Sequence, residues 1–161
     1  MSLESNSPKT VLELGTSLGL ATAAIHLGNP HAKITTLEGC KNTAAVATNQ
    51  FKDFSYQNIN VVTSEFNESL SKLTTETVLD FVYFDGNHQK EATLKYFETC
   101  LQFMHNDTVC IFDDIHWSKD MEAAWEEIKA HPKVQVSIDT FQWGFVFFRK
   151  EQEKEHFTIR V

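Results

Sequence analysis

Acidic residues and histidines follow two mostly apolar segments of this sequence, at points where strands of a sheet would end. The first segment, Leu79–His88, reads LDFVYFDGNH and places Asp85 and His88 after a run typical of a strand buried on both faces. Ligands of open α/β sheets bind beyond the carboxyl ends of the strands. An imidazole with an ordinary pKa of about 6.5 can accept a proton there. Asp85 could serve as a base or as a metal ligand, so Asp85 and His88 are our candidate catalytic residues.

The second segment, Thr108–Phe112, ends in the acidic pair Asp113 and Asp114, and His116 follows shortly after. Carboxylates from neighbouring strand tips form the all-oxygen sites that Mg²⁺ or Ca²⁺ favours. Without a cation, such like charges repel and shift one another's pKa. The alternative is a solvated loop that caps the next helix. His116 is a second candidate base beside this pair.

A glycine-containing segment, Gly15–Gly19, lies between the first apolar run and a helical pattern, and Glu13 precedes it. Glycines at such a turn let the backbone approach a nucleotide-like ligand closely. Ser17 holds the second glycine position of the dinucleotide fingerprint GxGxxG, so the segment does not match it. Glu38 and Gly39 follow the second apolar run, where a carboxylate can accept both hydroxyls of a ribose. The alternative is a set of tight turns without a ligand.

Alternating strands and helices must position these residues, which is the pattern of a layered α/β fold. Apolar runs predict seven strands, at Thr10–Leu14, Lys33–Leu37, Ile59–Thr63, Leu79–Phe84, Thr108–Phe112, around Val134–Ile138 and around Phe145–Phe148. Helical periodicity predicts helices up to about Leu27, over Lys41–Phe54, around Leu70 and Leu73, from His88 to about Met104, and from the Ser118 cap to His131.

The last two strands differ in pattern. Val134, Val136 and Ile138 alternate with polar residues, which predicts that the apolar face alone is covered. Phe145–Phe148 is apolar throughout, which predicts burial on both faces. The short connection between the two strands requires an antiparallel pair, because a parallel crossover needs a dozen or more residues. The seventh strand therefore lies between the fifth and the sixth, and the sixth forms an edge of the sheet.

The order of these motifs, from Glu13-Leu14-Gly15 and Gly19 through Glu38 to Asp85, resembles the class I S-adenosylmethionine-dependent methyltransferases. The resemblance implies a Rossmann-like three-layer α/β sandwich with a mostly parallel seven-stranded sheet of order 3-2-1-4-5-7-6, strand 7 being antiparallel. It also implies S-adenosylmethionine as the cofactor. The implied cofactor-binding residues are Glu13, Gly15, Thr16, Ser17 and Gly19 for the methionine part, Glu38 and Gly39 for the ribose, Ser64, Glu65 and Phe66 for the adenine, and Asp85.

FDGNH followed by FDDIH resembles, more narrowly, the metal-dependent small-molecule O-methyltransferases of the catechol and sugar types. The resemblance implies that Asp85, Asp113 and Asp114 bind a divalent cation such as Mg²⁺, which orients a hydroxyl acceptor. Catechol-type members carry Asp-Asn at the pair, so the Asp-Asp of this chain is closer to the sugar-modifying group. His88 stands where catechol-type members often place a basic residue near the acceptor hydroxyl.

The composition of the sequence argues against several other classes of protein. The 161 residues fit one domain, and the net charge of −8 without a basic run gives no footprint for nucleic acid. No membrane-spanning run or signal peptide is visible, so we expect a cytoplasmic protein. Cys40, Cys100 and Cys110 are expected to be reduced core residues. Trp117 and Trp143 could line a substrate pocket, although core packing is the expectation we prefer.

Two features keep other functions open. Gly86-Asn87-His88 also occurs as an element of metallophosphoesterases, which gives a metal-dependent hydrolase as the alternative. Residues 1–9 read as a disordered or vector-derived segment, so the domain over 10–161 would lack the helical segment that usually precedes the first strand in the resembled family. The domain could then bind cofactor without efficient turnover. Apart from a small-molecule hydroxyl acceptor, we expect no nucleic acid or membrane partner, and a homodimer stays open.

Overall fold

The structure, a computed structural model, describes residues 7–160 of the chain. Its strands lie within one sheet. Their bounds are β1 Thr10–Leu14, β2 Lys33–Glu38, β3 Ile59–Thr63, β4 Leu79–Phe84, β5 Met104–Asp113, β6 Val136–Asp139, β7 Trp143–Phe147 and β8 Glu155–Thr158. Residues 1–6, on which most of the predicted disordered segment falls, lie outside the described part.

Helices connect the parallel strands. Their bounds are α1 Leu20–Gly28, α2 Lys41–Asp53, α3 Phe66–Leu70, α4 Lys90–Cys100 and α5 Lys119–Ala130. Ser118 caps α5 as predicted, because its hydroxyl accepts a hydrogen bond of 3.1 Å from the backbone N–H of Met121. Two helices differ from the prediction. α3 lies earlier than Leu70 and Leu73 indicated, and α4 ends at Cys100 because Met104 already belongs to β5.

Over residues 7–160 the sheet has eight strands in the order β3-β2-β1-β4-β5-β7-β6-β8. Strands β3 to β5 run parallel, and β7 pairs antiparallel with both β5 and β6. This confirms the predicted Rossmann-like order and the antiparallel insertion of β7. The prediction that the sixth strand forms an edge was wrong, because β8 pairs with β6 in parallel register from Val136 to Asp139. β8 has the polar sequence EHFT, which gives no strand signal on its own.

The main core lies between the sheet and the face covered by α3, α4 and α5. Phe84 of β4 and Phe112 of β5 stack with ring centroids 4.4 Å apart, and Phe97 of α4 meets Phe112 edge-on. Trp125 of α5 is 1% exposed and packs on the same ring. These aromatic contacts hold the ends of β4 and β5 side by side, where the acidic residues follow.

The two faces of β6 and β7 do not match the sequence prediction. Ser137 and Asp139 are buried on the α5 side of β6, whereas the apolar residues Val136 and Ile138 are only half-buried on the other side. β7 is buried only on the face of Gly144 and Val146. The prediction failed because it assumed that the more apolar side of a strand is the covered side. Here hydrogen bonds satisfy the polar side: His116 and Arg160 bind Asp139, and His156 binds Ser137.

Some individual residues also differ from expectation. Cys100 and Cys110 are buried, as predicted, but Cys40 is exposed because it occupies the N-cap position of α2 at the sheet edge. Trp117 is 73% exposed and Trp143 is 45% exposed, so the preferred core-packing role of both was wrong.

Within residues 7–160, no helix combines the length and the apolar character that crossing a membrane requires.

Gly144 gives a test of the packing between β7 and α5. A Cβ atom at Gly144 would lie 2.6 Å from the Trp125 ring, whereas a Cβ atom at Gly28 would meet nothing within 4 Å. We expect Gly144→Ala to lower the free energy of unfolding by about 1–3 kcal/mol through overpacking. Urea denaturation of Gly144→Ala beside the matched control Gly28→Ala measures the difference. Equal stability of the two variants would contradict the close contact.

Candidate functional site

The tips of β1 and β4 meet at Gly15. Its φ of 110° lies in the region that favours glycine. A Cβ atom on Gly15 would lie 1.9 Å from the carbonyl oxygen of Asp85. The Asp85 N–H in turn donates a 2.8 Å hydrogen bond to the carbonyl of Leu14. The glycine segment and the candidate catalytic acid therefore form one continuous surface.

Glu13 lies beneath this surface and forms hydrogen bonds with α1 and β2. The side chain is 0% exposed, and one carboxyl oxygen accepts hydrogen bonds from the hydroxyls of Thr22 in α1 and Thr36 in β2. The Thr36 hydroxyl also bonds that of Thr16 at 2.6 Å. Burial raises the pKa of Glu13 to about 7, although the two threonine bonds act in the opposite direction. Thr36 thus links Glu13 to Thr16 of the glycine segment, and within residues 7–160 the other carboxyl oxygen of Glu13 is buried without a hydrogen-bond partner.

Glu38 lies at the tip of β2, beside the glycine segment. One carboxylate oxygen accepts the Ser17 N–H and the other accepts the Cys40 N–H, both at 2.9 Å. These bonds fix the orientation of the carboxylate. Each oxygen retains a second lone pair, so the group can still accept hydroxyl donors. Gly39 is exposed next to it.

The segment after β3 also reaches this edge. The Phe66 ring lies 2.6 Å from the place that a Cβ atom on Gly86 would occupy, and it meets Tyr96 edge-on at 5.6 Å. Glu65 lies close to Gly39, at 3.7 Å from the corresponding Cβ position. The hydroxyl of Ser64 bonds that of Ser69 within the same segment. The structure thus brings together the tips of β1, β2, β3 and β4, as the sequence predicted.

Acidic side chains accumulate between the tips of β4 and β5. Burial raises the pKa of Asp85 to about 7, and a hydrogen bond with Asp113 together with the charges of Asp113, Glu13 and Asp114 adds to the effect. Two carboxyls can share a hydrogen bond only when one of them carries a proton. The His88 ring nitrogen Nε2 lies 3.8 Å from Asp85 and 3.9 Å from Asp114, too far for a hydrogen bond.

This acidic group has neighbours that the sequence did not indicate. The amide nitrogen of Gln142 donates to Asp114 at 2.7 Å and to Asp113 at 3.3 Å. Tyr83 lies against Asp113, and burial raises its phenol pKa well above the usual range, so it stays protonated as a donor. Gln142 belongs to the turn between β6 and β7, and only the strand order places that turn over β5. No local signal distinguishes it from other turn residues.

The two candidate bases, His88 and His116, differ in the hydrogen bonds that constrain their rings. Both ring nitrogens of His116 face carboxylates, with Nε2 at 2.8 Å from Asp139 and Nδ1 at 3.3 Å from Glu122. Its ring also stacks on Phe141 at 5.4 Å. Within residues 7–160, the ring of His88 makes no hydrogen bond of this kind. The ring of His88 is therefore the less constrained of the two, whereas that of His116 helps to hold Asp139.

A shallow cavity of about 300 Å³ opens beside the acidic group, lined by Asp114, His116, Trp117, Phe141 and Gln142. The exposed Trp117 takes part in this lining, which is the pocket role we had considered for it. Trp143, the second tryptophan considered for the pocket, is close to the same acids because it pairs with Asp113 across β5 and β7.

Backbone strain marks the same region. Five residues other than glycine have positive φ within residues 7–160, and four of them border the site: Ser17 at 47°, Asn87 at 54°, Asp114 at 54° and Phe141 at 76°. Such conformations are costly for side chains with a Cβ, above all for an aromatic residue, and they concentrate at functional sites. The Asn87 amide donates to the Tyr96 hydroxyl at 3.1 Å, which helps to hold that turn.

A metal site is not already assembled. In the described part of the chain, no group of three or more His, Cys, Asp or Glu side chains gathers around one metal position. The donor chemistry still suits a hard cation, because Asp85, Asp113 and Asp114 offer only oxygen and repel one another without a positive charge.

Comparison with known proteins agrees with this architecture. Residues 12–115 match the sequence profile of a family described as Methyltransferase domain. A comparison with curated proteins finds no match. Similar solved structures include an O-methyltransferase from Bacillus cereus in complex with SAH, at TM-score 0.73 and 22% identity over 88% of this chain and 75% of that chain. TomG, the Streptomyces achromogenes O-methyltransferase of tomaymycin synthesis in complex with SAM, has TM-score 0.74 and 14% identity over 89% of this chain and 74% of its own.

The SAH-bound methyltransferase PaMTH1 from Podospora anserina has TM-score 0.76 and 17% identity, covering 89% of this chain and 73% of that chain. Fold and strand-tip geometry together define the class I methyltransferase architecture. The chain belongs to the methyltransferase domain family, because the family match covers more than half of its length. The family expected from Glu13-Leu14-Gly15, Glu38 and Asp85 is confirmed.

Glu13 gives a test of the buried network through pH. The folded chain keeps a proton on Glu13 up to about pH 7, whereas the unfolded chain loses it near the ordinary value of 4.5. The stabilisation from this proton is therefore complete below the unfolded pKa and is lost as pH rises through the folded pKa. It amounts to about 3 kcal/mol at most.

Glu13→Gln does not titrate, so its free energy of unfolding should fall less steeply between pH 5 and pH 8 than that of the unmodified protein. Urea denaturation at several pH values measures both slopes. The raised pKa of Asp85 changes the pH dependence of the free energy of unfolding in the same direction in both proteins. Its contribution therefore largely cancels in the comparison. Parallel pH profiles would show that Glu13 is not protonated in the folded state.

Proposed function

We propose that this protein transfers a methyl group from S-adenosylmethionine to a hydroxyl group of a small molecule, with a divalent cation assisting. The observation that carries the proposal is the joined edge formed by the Gly15 turn and the Glu38 carboxylate. The Ser17 N–H links the two directly. In a member of the methyltransferase family, such an edge suits a nucleoside-containing cofactor. Neighbours of the same fold were solved with SAM or SAH bound.

The residues fit this cofactor part by part. Glu38 is oriented toward a ribose by two backbone bonds and keeps lone pairs for both ribose hydroxyls. Phe66 and the loop with Ser64 and Glu65 offer one side for an adenine. The Gly15 turn lies directly against the Asp85 backbone, so the two turns offer one continuous edge for the methionine part. Asp85 lies at the inner end of this edge, where it can accept a hydrogen bond from an amino group.

When bound, the cofactor would supply a sulfonium methyl group, whose carbon an acceptor oxygen can attack in line while the C–S bond breaks and S-adenosylhomocysteine leaves. The chain contributes position and proton transfer. His88 accepts the proton of the acceptor hydroxyl, since its ring makes no strong hydrogen bond to the described residues and lies close to Asp85 and Asp114. Asp85, Asp113 and Asp114 would hold Mg²⁺, which lowers the pKa of a bound hydroxyl and orients it.

Methyl transfer is favoured over the hydrolase alternative. The family match includes the GNH segment within a methyltransferase domain, so Gly86-Asn87-His88 needs no hydrolytic explanation. The acceptor would lie in the cavity beside Asp114, where Trp117 and Phe141 present exposed aromatic surface. Such surfaces suit a phenolic ring or the apolar face of a sugar.

Cofactor binding depends on Glu38 in this account. We expect Glu38→Gln to weaken S-adenosylmethionine binding by about tenfold to a hundredfold, because one charged acceptor of ribose hydroxyls and of two backbone N–H groups is lost. Isothermal titration calorimetry measures the affinity, and Glu153→Gln, an exposed glutamate near the C-terminus, is the matched control. Absence of binding by the unmodified protein at millimolar cofactor would refute the proposed function.

Turnover should depend on His88 and not on His116. We expect His88→Ala to lower S-adenosylhomocysteine formation from a catechol or sugar acceptor in the presence of Mg²⁺ by about a hundredfold or more, with cofactor affinity unchanged. His116→Ala should act mainly through stability, because its bonds hold Asp139. If His116→Ala abolished turnover in a folded protein and His88→Ala did not, the assignment of the base would be reversed.

A further inference from the structure

Gln142 contacts the acidic group from the turn between β6 and β7. Its amide nitrogen lies 2.7 Å from a carboxylate oxygen of Asp114 and 3.3 Å from one of Asp113. A single polar atom thus approaches two of the three carboxylates that would hold a cation under the proposed function. Because the amide donates hydrogen bonds without carrying a charge, it offsets only part of the repulsion between these carboxylates.

The two distances match the spacing of oxygen ligands around a small cation. Ligands of Mg²⁺ lie about 2.0–2.1 Å from the ion in octahedral geometry, so neighbouring ligand atoms lie about 2.9 Å apart. The distances at Gln142, 2.7 and 3.3 Å, lie on either side of this spacing. A ligand atom in the place of the amide nitrogen would therefore require little movement of the turn.

Rotation of the amide can bring an oxygen to that place. The Oε1 and Nε2 atoms of glutamine are nearly equal in size, and a half-turn about the Cγ–Cδ bond exchanges their positions. This terminal torsion is soft and roughly two-fold, so both orientations are accessible. The nitrogen faces the carboxylates as a donor when no cation lies between them. The oxygen would face a cation, because amide oxygens are ligands that hard cations accept.

The turn that carries Gln142 is held in place by Asp139. The Asp139 carboxylate accepts the Phe141 N–H at 2.8 Å and an Arg160 N–H at 2.9 Å, and it lies 2.8 Å from Nε2 of His116. These bonds support Phe141 at a φ of 76°, a conformation that is costly for an aromatic residue. Gln142 therefore extends from a rigid support, which a metal ligand needs to keep its atom in position.

We propose that Gln142 is a further ligand of the cation and binds it through the amide oxygen, together with the carboxylates of Asp85, Asp113 and Asp114. This inference rests on the cation assistance in the proposed function and adds a neutral ligand from a separate turn. Gln142 also lines the cavity beside Asp114. A cation held in part by Gln142 would border the space in which the acceptor hydroxyl is expected to lie.

Titration with Mn²⁺ alone, without S-adenosylmethionine, tests the proposal. Mn²⁺ takes the same oxygen ligands as Mg²⁺, and the electron paramagnetic resonance signal of the free ion falls as the ion binds. We expect Gln142→Met to weaken Mn²⁺ affinity about tenfold or more, because methionine keeps the side-chain length but replaces the amide by a soft thioether. Gln142→Glu should bind Mn²⁺ at least as tightly as the unmodified chain, since it retains a ligand oxygen.

The matched control is Gln57→Met, which makes the same change at an exposed glutamine just before β3, at the opposite end of the sheet. It should leave Mn²⁺ affinity unchanged. Circular dichroism verifies that all three variants fold.

A Gln142 that acts only as a hydrogen-bond donor predicts a change of opposite sign. Its amide would compete with the cation, so Gln142→Met would bind Mn²⁺ as tightly as the unmodified chain or more tightly. That result overturns the inference and leaves the proposed methyl transfer intact. Weak binding by Gln142→Glu overturns it as well, because a ligand oxygen at this position would then not suffice.

The same titration separates this inference from the proposed function. If the unmodified chain binds no Mn²⁺ at millimolar concentration, the role of Gln142 and the assistance by a cation are both refuted. The calorimetric affinity for S-adenosylmethionine still decides on methyl transfer in that case.

Discussion

The close approach of β1 and β4 at Gly15 is the constraint on which the rest of the site depends. No side chain fits between Gly15 and the Asp85 carbonyl, so the turn that follows β1 lies directly against the turn that follows β4. The Leu14 carbonyl and the Asp85 N–H complete the contact. Two tips that would otherwise be separate therefore behave as one surface, and a ligand at the first necessarily lies beside the acids of the second.

Carboxyl groups are concentrated at this surface from both sides. Glu13 is buried beneath it and Asp85 lies within it, and burial raises the pKa of both carboxyls to about 7. Near neutrality these carboxyls are therefore only partly ionised unless a positive charge is bound beside them. Both a cation and the positive centre of a sulfonium cofactor would favour their ionised forms. The same burial that raises the pKa of these carboxyls therefore also favours the binding of a positively charged ligand beside them.

Local sequence patterns predicted most of the sheet and the strand tips that meet at one edge of it. The bounds of β1, β3 and β4 follow directly from apolar runs, and the tips that carry Gly15, Glu38 and Asp85 meet as the strand order requires. Local patterns failed where hydrogen bonds between residues distant in the sequence determine the structure. Asp139 is buried because His116 and Arg160 bind it, and β8 forms because β6 offers an unpaired edge. Gln142 likewise reaches Asp113 and Asp114 only through the antiparallel insertion of β7, so no periodicity could reveal it.

The affinity of Gly15→Ala for S-adenosylmethionine tests the central claim most directly. An alanine at a φ of 110°, with its Cβ at 1.9 Å from the Asp85 carbonyl, must separate the tips of β1 and β4. Isothermal titration calorimetry should show binding weakened at least about a hundredfold, or about 2.7 kcal/mol, relative to Gly28→Ala in protein that circular dichroism shows to be folded. A folded Gly15→Ala variant that binds the cofactor as tightly as Gly28→Ala would contradict the account.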